Sequence, residues 1–286
     1  LDHGSTPATF GKLVQQATPG SSPTKVQVTF ISELHRLSSR CDDDRHSVAI
    51  HRAVEEADVC VWGGDLFDFA WSQLGDHTAS MDHAIDWLDQ WRLKFPTKSF
   101  VYLTGNHDAN AEFQHRLKSW AGSMSPGSML RESSPTNEIA LLPGSVHVGL
   151  DAIRLGDALM VHGDVVVGEG TTDSLGRYRA GFSRHHSSPL RNRVYDAAVS
   201  ARLHLGAASM AHGHHRVCGR LLRWMRKQPA WLQHGVSQIA FGHTHRRIDG
   251  RKVAGIQFYN PGAAIRHVRF APVQLELIPD VSSSSL

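Results

Sequence analysis

Two rhythms of apolar residues alternate along the chain. "KVQVTFIS" (25–32), "DVCVWGG" (58–64) and "SFVYLTG" (99–105) are short, nearly continuous apolar runs, the pattern of buried strands. Between them lie stretches with apolar positions three and four apart: "SVAIHRAVEEA" (47–57), residues 80–95 with Ile85, Leu88 and Trp91 on one face, and residues near 110–120. That spacing predicts amphipathic helices. Apolar runs near 138–142, 145–150 and 157–162 predict further strands, whereas "AGSMSPGSMLRESSPTN" (121–137) has no period and predicts a loop. Ser, Thr, Pro and Gly dominate the start of the chain and "SSSSL" closes it, so residues 1–24 and 281–286 read as loose tails. No internal repeat appears at solenoid spacing. Strands alternating with helices imply an α/β core, whose ligands normally sit at the carboxyl ends of the strands.

Residues 165–235 break the alternation. Eleven Lys and Arg against three acids give this helix-like segment a net charge of +8, while the whole chain carries +3 and the remainder therefore −5. The expected organisation is a core of residues 25–164 and 236–280, interrupted by a basic helical cap at 165–235. The other bulk properties are ordinary: 286 residues, 41% hydrophobic and 20% charged, suit a globular protein with a proper core. Three cysteines without a CxxC argue against a disulfide framework, and no apolar run approaches a membrane span. A reducing, cytoplasmic setting is the default expectation. Twenty histidines stand out, and their positions decide what they mean.

Several of them stand at the ends of apolar runs. The first strand leads into Glu33 and His35; two residues apart in an extended chain, they are expected to point to one side. The second ends in "GGDLFD" with Asp65, and the third in "GNHD", Gly105 to Asp108. Later come "MVHGD" with His162 and "IAFGHTH" with His243 and His245. A lone histidine beside an apolar run is usually a packed or capping residue. Five such segments are not explained that way, because buried carboxylates and imidazoles in this number need a cation. Imidazole and carboxylate together suit Mn²⁺, Fe or Zn²⁺.

This ordered set resembles the calcineurin-like metallophosphoesterases, whose pattern runs D-x-H, G-D-x-x-D, G-N-H-D/E, a lone His, and G-H-x-H. "FYNPGA" (258–263) resembles the family's N-x-G segment. The resemblance implies a four-layer α/β/β/α sandwich with a helical insertion and two divalent metals, Mn²⁺ first among the candidates. By position, Glu33, His35, Asp65 and His245 would hold the first metal; Asp65 would bridge to the second, completed by Asn106, His162 and His243. The implied reaction is hydrolysis of a P–O bond by a metal-bound hydroxide. His107 would protonate the leaving oxygen, with Asp68 or Asp108 as its carboxylate partner. One position departs from the pattern: Glu33 stands where the family has Asp. The expectation is ligation with a weakened first site, which Glu33→Asp should tighten; the rival is a scaffold whose metal site has decayed.

"GDLFDFAWS" and "LMVHGD" followed by "TTDSLGRYRAGF" also look like the UDP-2,3-diacylglucosamine hydrolases, which cut a pyrophosphate in lipid A synthesis. That branch implies Asp173, Tyr178 and Arg179 as substrate-binding residues, although it usually has Arg where this chain has His107. The alternative substrate is a generic phosphomonoester or diester. "RVCGRLLRWMRKQPAWL" (216–232) puts Val217, Leu221, Trp224 and Met225 on one stripe between arginines. Such a helix can grip an acyl chain, lie peripherally on an anionic membrane, or simply pack on the core. The expected partner is an anionic phosphorylated substrate, amphiphilic on the branch reading; nucleic acid competes for so basic a segment.

Overall fold

The computed structural model describes residues 9–15, 24–124, 138–167, 172–183, 189–200 and 213–281. The three long apolar runs form β2 (Val26–Ile31), β3 (Val59–Trp62) and β4 (Ser99–Leu103), parallel neighbours in a five-stranded sheet. Its edges are β12 (Val273–Leu277), antiparallel to β2, and β6 (Val146–Leu150), parallel to β4. The second sheet holds β1 (Phe10–Gln15), β5 (Glu138–Ala140), β7 (Ala152–Leu155), β8 (Ala158–Val161), β9 (Gln238–Phe241), β10 (Ile248–Val253), β11 (Ile256–Asn260) and β13 (Asp280–Val281). Its order is β10-β11-β9-β8-β7-β1-β13, with β5 also paired to β1.

The sheets pack face to face, and Val28, Phe30, Val61 and Leu103 from one meet Leu13, Ile153, Met160 and Ala240 from the other. On the outer face of the five-stranded sheet lie α1 (Ser47–Glu56), α2 (His77–Lys94) and α3 (Ala111–Met124), which bury Val54, Met81, Leu88, Trp91 and Phe113 against Trp62, Phe100 and Tyr102. The outer face of the larger sheet is covered by α6 (His214–Met225) and α7 (Ala230–Gln233). The result is the expected α/β/β/α sandwich. Apolar runs without alternation follow from it, since strands covered on both faces gain from apolar residues on both. Burying a side chain such as Phe30 or Phe241, neither exposed at all, contributes roughly 1.5–3 kcal/mol.

Two expectations need correction. Residues 1–24 are no loose tail throughout, because "FGKLVQ" forms β1 and pairs with β5, β7 and β13. Leu13 and Val14 are buried there, and a Cβ on Gly11 would sit 2.5 Å from Ile139 Cδ1. The tail read at 281–286 begins after the short β13; residues 282–286 lie outside the described residues, as do 125–137 of the expected loop. The second correction concerns α6. Its stripe of Val217, Leu221, Trp224 and Met225 is buried on the large sheet against Leu159, Ile239 and Phe241, while Arg216, Arg220 and Arg223 face solvent. The helix therefore belongs to the outer layer of the sandwich rather than to a cap, and the apolar face proposed for a membrane or acyl chain is already covered. Among the described residues no helix is long and apolar enough to cross a membrane.

One edge residue gives a stability prediction independent of any site. His147 on β6 is buried, its Nε2 has no hydrogen-bond partner among the described residues, and burial pushes its pKa down to about 4. The unfolded value is about 6.5, so below that pH the unfolded chain binds the extra proton. Stability is complete above pH 6.5 and declines as pH falls toward 4. At pH 4 the loss from this residue reaches about 3 kcal/mol. Urea unfolding of wild type and His147→Leu at pH 7 and pH 4 should show that much less acid sensitivity in the variant. Parallel pH profiles would show that the imidazole gains protons equally in both states.

Candidate metal centre

Five strand ends converge at one edge of the sandwich. Glu33 and His35 follow β2, Asp65 follows β3, Asn106, His107 and Asp108 follow β4, His162 follows β8, and His243 and His245 follow β9. The parallel runs β2–β3–β4 and β8–β9 bring all of these carboxyl ends together, as α/β topology dictates.

The backbone there is not extended. Glu33 (φ 61°), His35 (49°), Asp65 (52°), His243 (64°) and His245 (54°) are five of the eight non-glycine residues with positive φ among the described residues. The left-handed region costs an L-residue roughly 1–2 kcal/mol, and such strain clusters at functional sites. It replaces the extended geometry expected of Glu33 and His35. Neighbouring strand ends hold it in place: His35 N–H donates to the Asp65 carbonyl (3.1 Å), Arg36 N–H to Leu66 O (2.8 Å) and Ala264 N–H to Glu33 O (2.9 Å). Asn260, from the "FYNPGA" segment, locks the histidine loop by donating to Gly242 O (2.9 Å) and Thr244 Oγ1 (3.2 Å).

The side chains form two sets. In the first, Glu33 Oε2 lies 2.9 Å from His245 Nε2 and 3.1 Å from His35 Nε2, and the two nitrogens are 3.0 Å apart. A carboxylate oxygen and two ring nitrogens this close need a proton or a cation among them. The other Glu33 oxygen accepts the backbone N–H of His243. Burial and the Asp65 charge oppose ionisation of Glu33, but hydrogen bonds from His245 and His35 win and hold its pKa below the usual carboxylate range. The longer side chain therefore reaches the set instead of overshooting or turning away.

In the second set, His162 Nδ1 donates to the Gly63 carbonyl at 2.9 Å, which aims Nε2 at Asn106 Oδ1 (3.2 Å) and Asp65 Oδ2 (3.4 Å). His243 completes a group with Asp65 and His162. Three acceptor atoms meeting in a buried place require positive charge. In the metal-free chain a proton supplies it: burial disfavours His162 charge, yet Asp65, Asp164 and Glu33 outweigh burial and raise its pKa well above the ordinary imidazole value. A divalent cation fits the same position and donor set. His243 and His245, pushed by burial to about 4, stay neutral at pH 7 with lone pairs to offer. Asp65 groups with the second set; its other oxygen accepts the His107 backbone N–H at 2.8 Å.

Beside the first set, His107 Nδ1 lies 3.0 Å from Asp68 Oδ1. Burial lowers the His107 pKa, but Asp68 and Asp65 more than offset that and raise it. Arg40 backs this pair, its Nη2 standing 2.8 Å from Asp68 Oδ2 and 2.7 Å from His35 Nδ1. Nothing in the periodicity marked this buried arginine. Asp108 plays a different part from the one expected. Its carboxylate accepts from Gly105 N–H (2.8 Å), Leu66 N–H (3.1 Å) and Tyr102 Oη (2.5 Å), tying the β3 and β4 loops together. Of the two carboxylates offered as partners for His107, only Asp68 is placed to serve.

The helix α4 (Thr172–Ser183) lies over the site. Tyr178 stands with its ring 6.1 Å from that of His243. Arg179 is taken up by protein partners: it pairs with Asp164 (2.7 Å) and Asp151 and donates to Thr104 O (2.8 Å). These pairings anchor the helix, in place of the substrate-binding role expected. Asp173 belongs to α4, but its side chain lies outside the described residues. Phe182, not singled out by sequence, packs its ring 4.9 Å from His107; its place four residues after Tyr178 on a helix was the available signal.

The model of the calcineurin-like phosphoesterase family matches residues 26–247. Among solved structures, one described as a dimetal phosphatase from Danio rerio is similar over 90% of this chain and 93% of its own, at 16% identity and a TM-score of 0.41. No curated protein matches the sequence.

Proposed function

The chain belongs to the calcineurin-like phosphoesterases, metal-dependent enzymes, and on that premise we propose that it hydrolyses a phosphomonoester or phosphodiester with His107 as the acid for the leaving oxygen. The observation that carries this reading is the pairing of two buried acceptor sets with an imidazole seated 3.0 Å from a buried carboxylate, His107 on Asp68. Glu33, His35 and His245 would hold one divalent cation, and Asp65, Asn106, His162 and His243 a second; Mn²⁺ suits this mixture of oxygen and nitrogen donors. When bound, the cations supply charge for the phosphoryl oxygens and lower the pKa of a nucleophilic water.

The chain's own residues do the rest. Glu33 and Asp65 are the two carboxylates of the sets, so they neutralise half the charge of two divalent ions, and the excess favours an anionic phosphate. Asp68 accepts from His107 Nδ1 and favours the protonated ring, in which Nε2–H is the second donor. Arg40 holds Asp68 in that position. A pyrophosphate in a nucleotide-linked lipid sugar has lost two of its supports, because Arg179 is bound to Asp151 and Asp164 and the apolar face of α6 is buried.

The test is His107→Ala, compared with wild type on 4-nitrophenyl phosphate and on a simple alkyl phosphate. 4-Nitrophenolate leaves without a proton, so its turnover should change only a few-fold. The alkyl ester should slow by about 10²-fold, the low end of general-acid contributions. Metal content should equal that of wild type. Equal slowing of both esters, or a variant that has lost metal, would remove His107 from the acid role. A wild-type protein that binds no divalent cation would restore the decayed-scaffold reading.

A further inference from the structure

Helix α4 does more than close the site. It is fixed at its foot by Arg179, which is paired to Asp151 and Asp164, and by Leu175, which is buried among the residues under α6. The neighbouring helix α5 (Pro189–Ser200) stands on the opposite rim, with Asn192 donating to Ser72 O (3.1 Å) and Asp196 bonded to Ser39. Between these footings Tyr178 and Phe182, one helical turn apart, look into the cleft. Their rings are 5.1 Å apart at 70°, an edge-to-face pair. Phe182 leans on His107 at 52°, and Tyr178 stands edge-on to His243, so the pair spans from the proton donor to the second acceptor set.

Holding His107 does not account for Phe182. That ring is already fixed by Asp68 through Nδ1, and its backbone by Asp65. Nor does core packing account for it, since Phe182 and Tyr178 are only half-buried, whereas the core aromatics Phe30, Phe67 and Phe241 are fully buried. A partly exposed ring packed on the proton donor is placed to meet an alcohol that takes its proton there.

We propose that Phe182, supported by Tyr178, is a specificity-determining residue: it forms the wall on which the leaving group packs, and it selects esters whose alcohol carries an apolar ring next to the bridging oxygen. This rests on the reading of His107 as the leaving-group acid. An aromatic wall favours a planar ring because offset and edge-to-face contacts add to simple area burial.

Binding and turnover test it separately. Titration calorimetry on metal-loaded protein would use phenylphosphonate and methylphosphonate with wild type, Phe182→Ala and Phe182→Tyr. Phe182→Ala should weaken phenylphosphonate about tenfold and methylphosphonate less than twofold, and Phe182→Tyr should restore the difference. In turnover, the loss should fall on KM for phenyl phosphate, with hexafluoroisopropyl phosphate, a compact ester of an alcohol of similar acidity, nearly unchanged. Equal losses for both members of a pair would make Phe182 a support for His107 and overturn the proposal, as would no loss for the phenyl compounds. A wild type that loads metal yet hydrolyses neither ester would sink the catalytic reading instead, while the phosphonate comparison would still report on the wall.

Discussion

Asp65→Asn is expected to lower kcat/KM on the order of 10³-fold and to remove at least one divalent ion per chain. Asp65 is 2% exposed and holds two partners, with the His107 N–H on Oδ1 and His162 Nε2 3.4 Å from Oδ2. Burial works against its charge, but His162, His107 and His35 outweigh that and hold its pKa well below the usual carboxylate range. An asparagine keeps the shape and can still accept from His107. It removes one of the two carboxylates of the sets, however, and turns an NH₂ donor toward His162 Nε2, where a cation would sit. Several kcal/mol of charge stabilisation disappear, and each 1.36 kcal/mol is tenfold in rate. Metal-free Asp65→Asn should melt below metal-free wild type, because the depressed pKa means that the Asp65 charge stabilises the folded chain through His162, His107 and His35. The loss of rate is therefore read at a temperature where melting curves show both proteins folded. Metal analysis, steady-state rates and melting curves on the same preparations decide the matter; a variant with wild-type metal content and rate would show that Asp65 holds neither ion.

Much of this site was legible because strands buried on both faces announce themselves as unbroken apolar runs, and a polar residue at the end of such a run has few places to go. The legibility failed where local pattern and tertiary context diverge. β1 was missed because "FGKLVQ" has few apolar residues and sits among Ser, Thr and Pro; only its partners β5 and β7 make it a strand. The stripe on α6 was visible, but a stripe does not say what covers it. The left-handed backbone at Glu33 and His35, repeated at His243 and His245, contradicts the period-two argument made for the first pair. What brings them together is the crossing of loops from two sheets. Arg40, Phe182 and the anchoring of Arg179 depend on pairings with Asp68, His107 and Asp151, each 28 residues or more apart in sequence, which no local pattern encodes.

Glu33 carries the second large prediction, and here the structure reverses the expectation from sequence. A shorter Asp looked like the better ligand, since that is the family's residue. In this chain the extra methylene is used. Glu33 is fully buried, one oxygen takes the His243 N–H, and the other lies 2.9 and 3.1 Å from His245 and His35. Asp at this left-handed backbone position would withdraw the carboxylate by about one C–C bond, roughly 1.5 Å. It could keep the His243 N–H or the two imidazoles, but not both. Glu33→Asp should therefore weaken the first ion and cost on the order of 10²-fold in kcat/KM, the usual consequence of an ångström-scale misplacement. Glu33→Gln keeps the reach but loses the charge, and should cost about 10³-fold, as at Asp65. Gly242 supplies an independent check. A Cβ there would meet Glu33 Oε1 at 2.6 Å and Ser32 Oγ at 2.5 Å, so Gly242→Ala should push the carboxylate off its seat and reproduce the Glu33→Asp phenotype without touching a ligand. Metal titrations resolved into two binding events would measure all three variants. Tighter first-ion binding in Glu33→Asp would mean that the family's shorter side chain fits this backbone after all, and that the His243 N–H does not position the carboxylate.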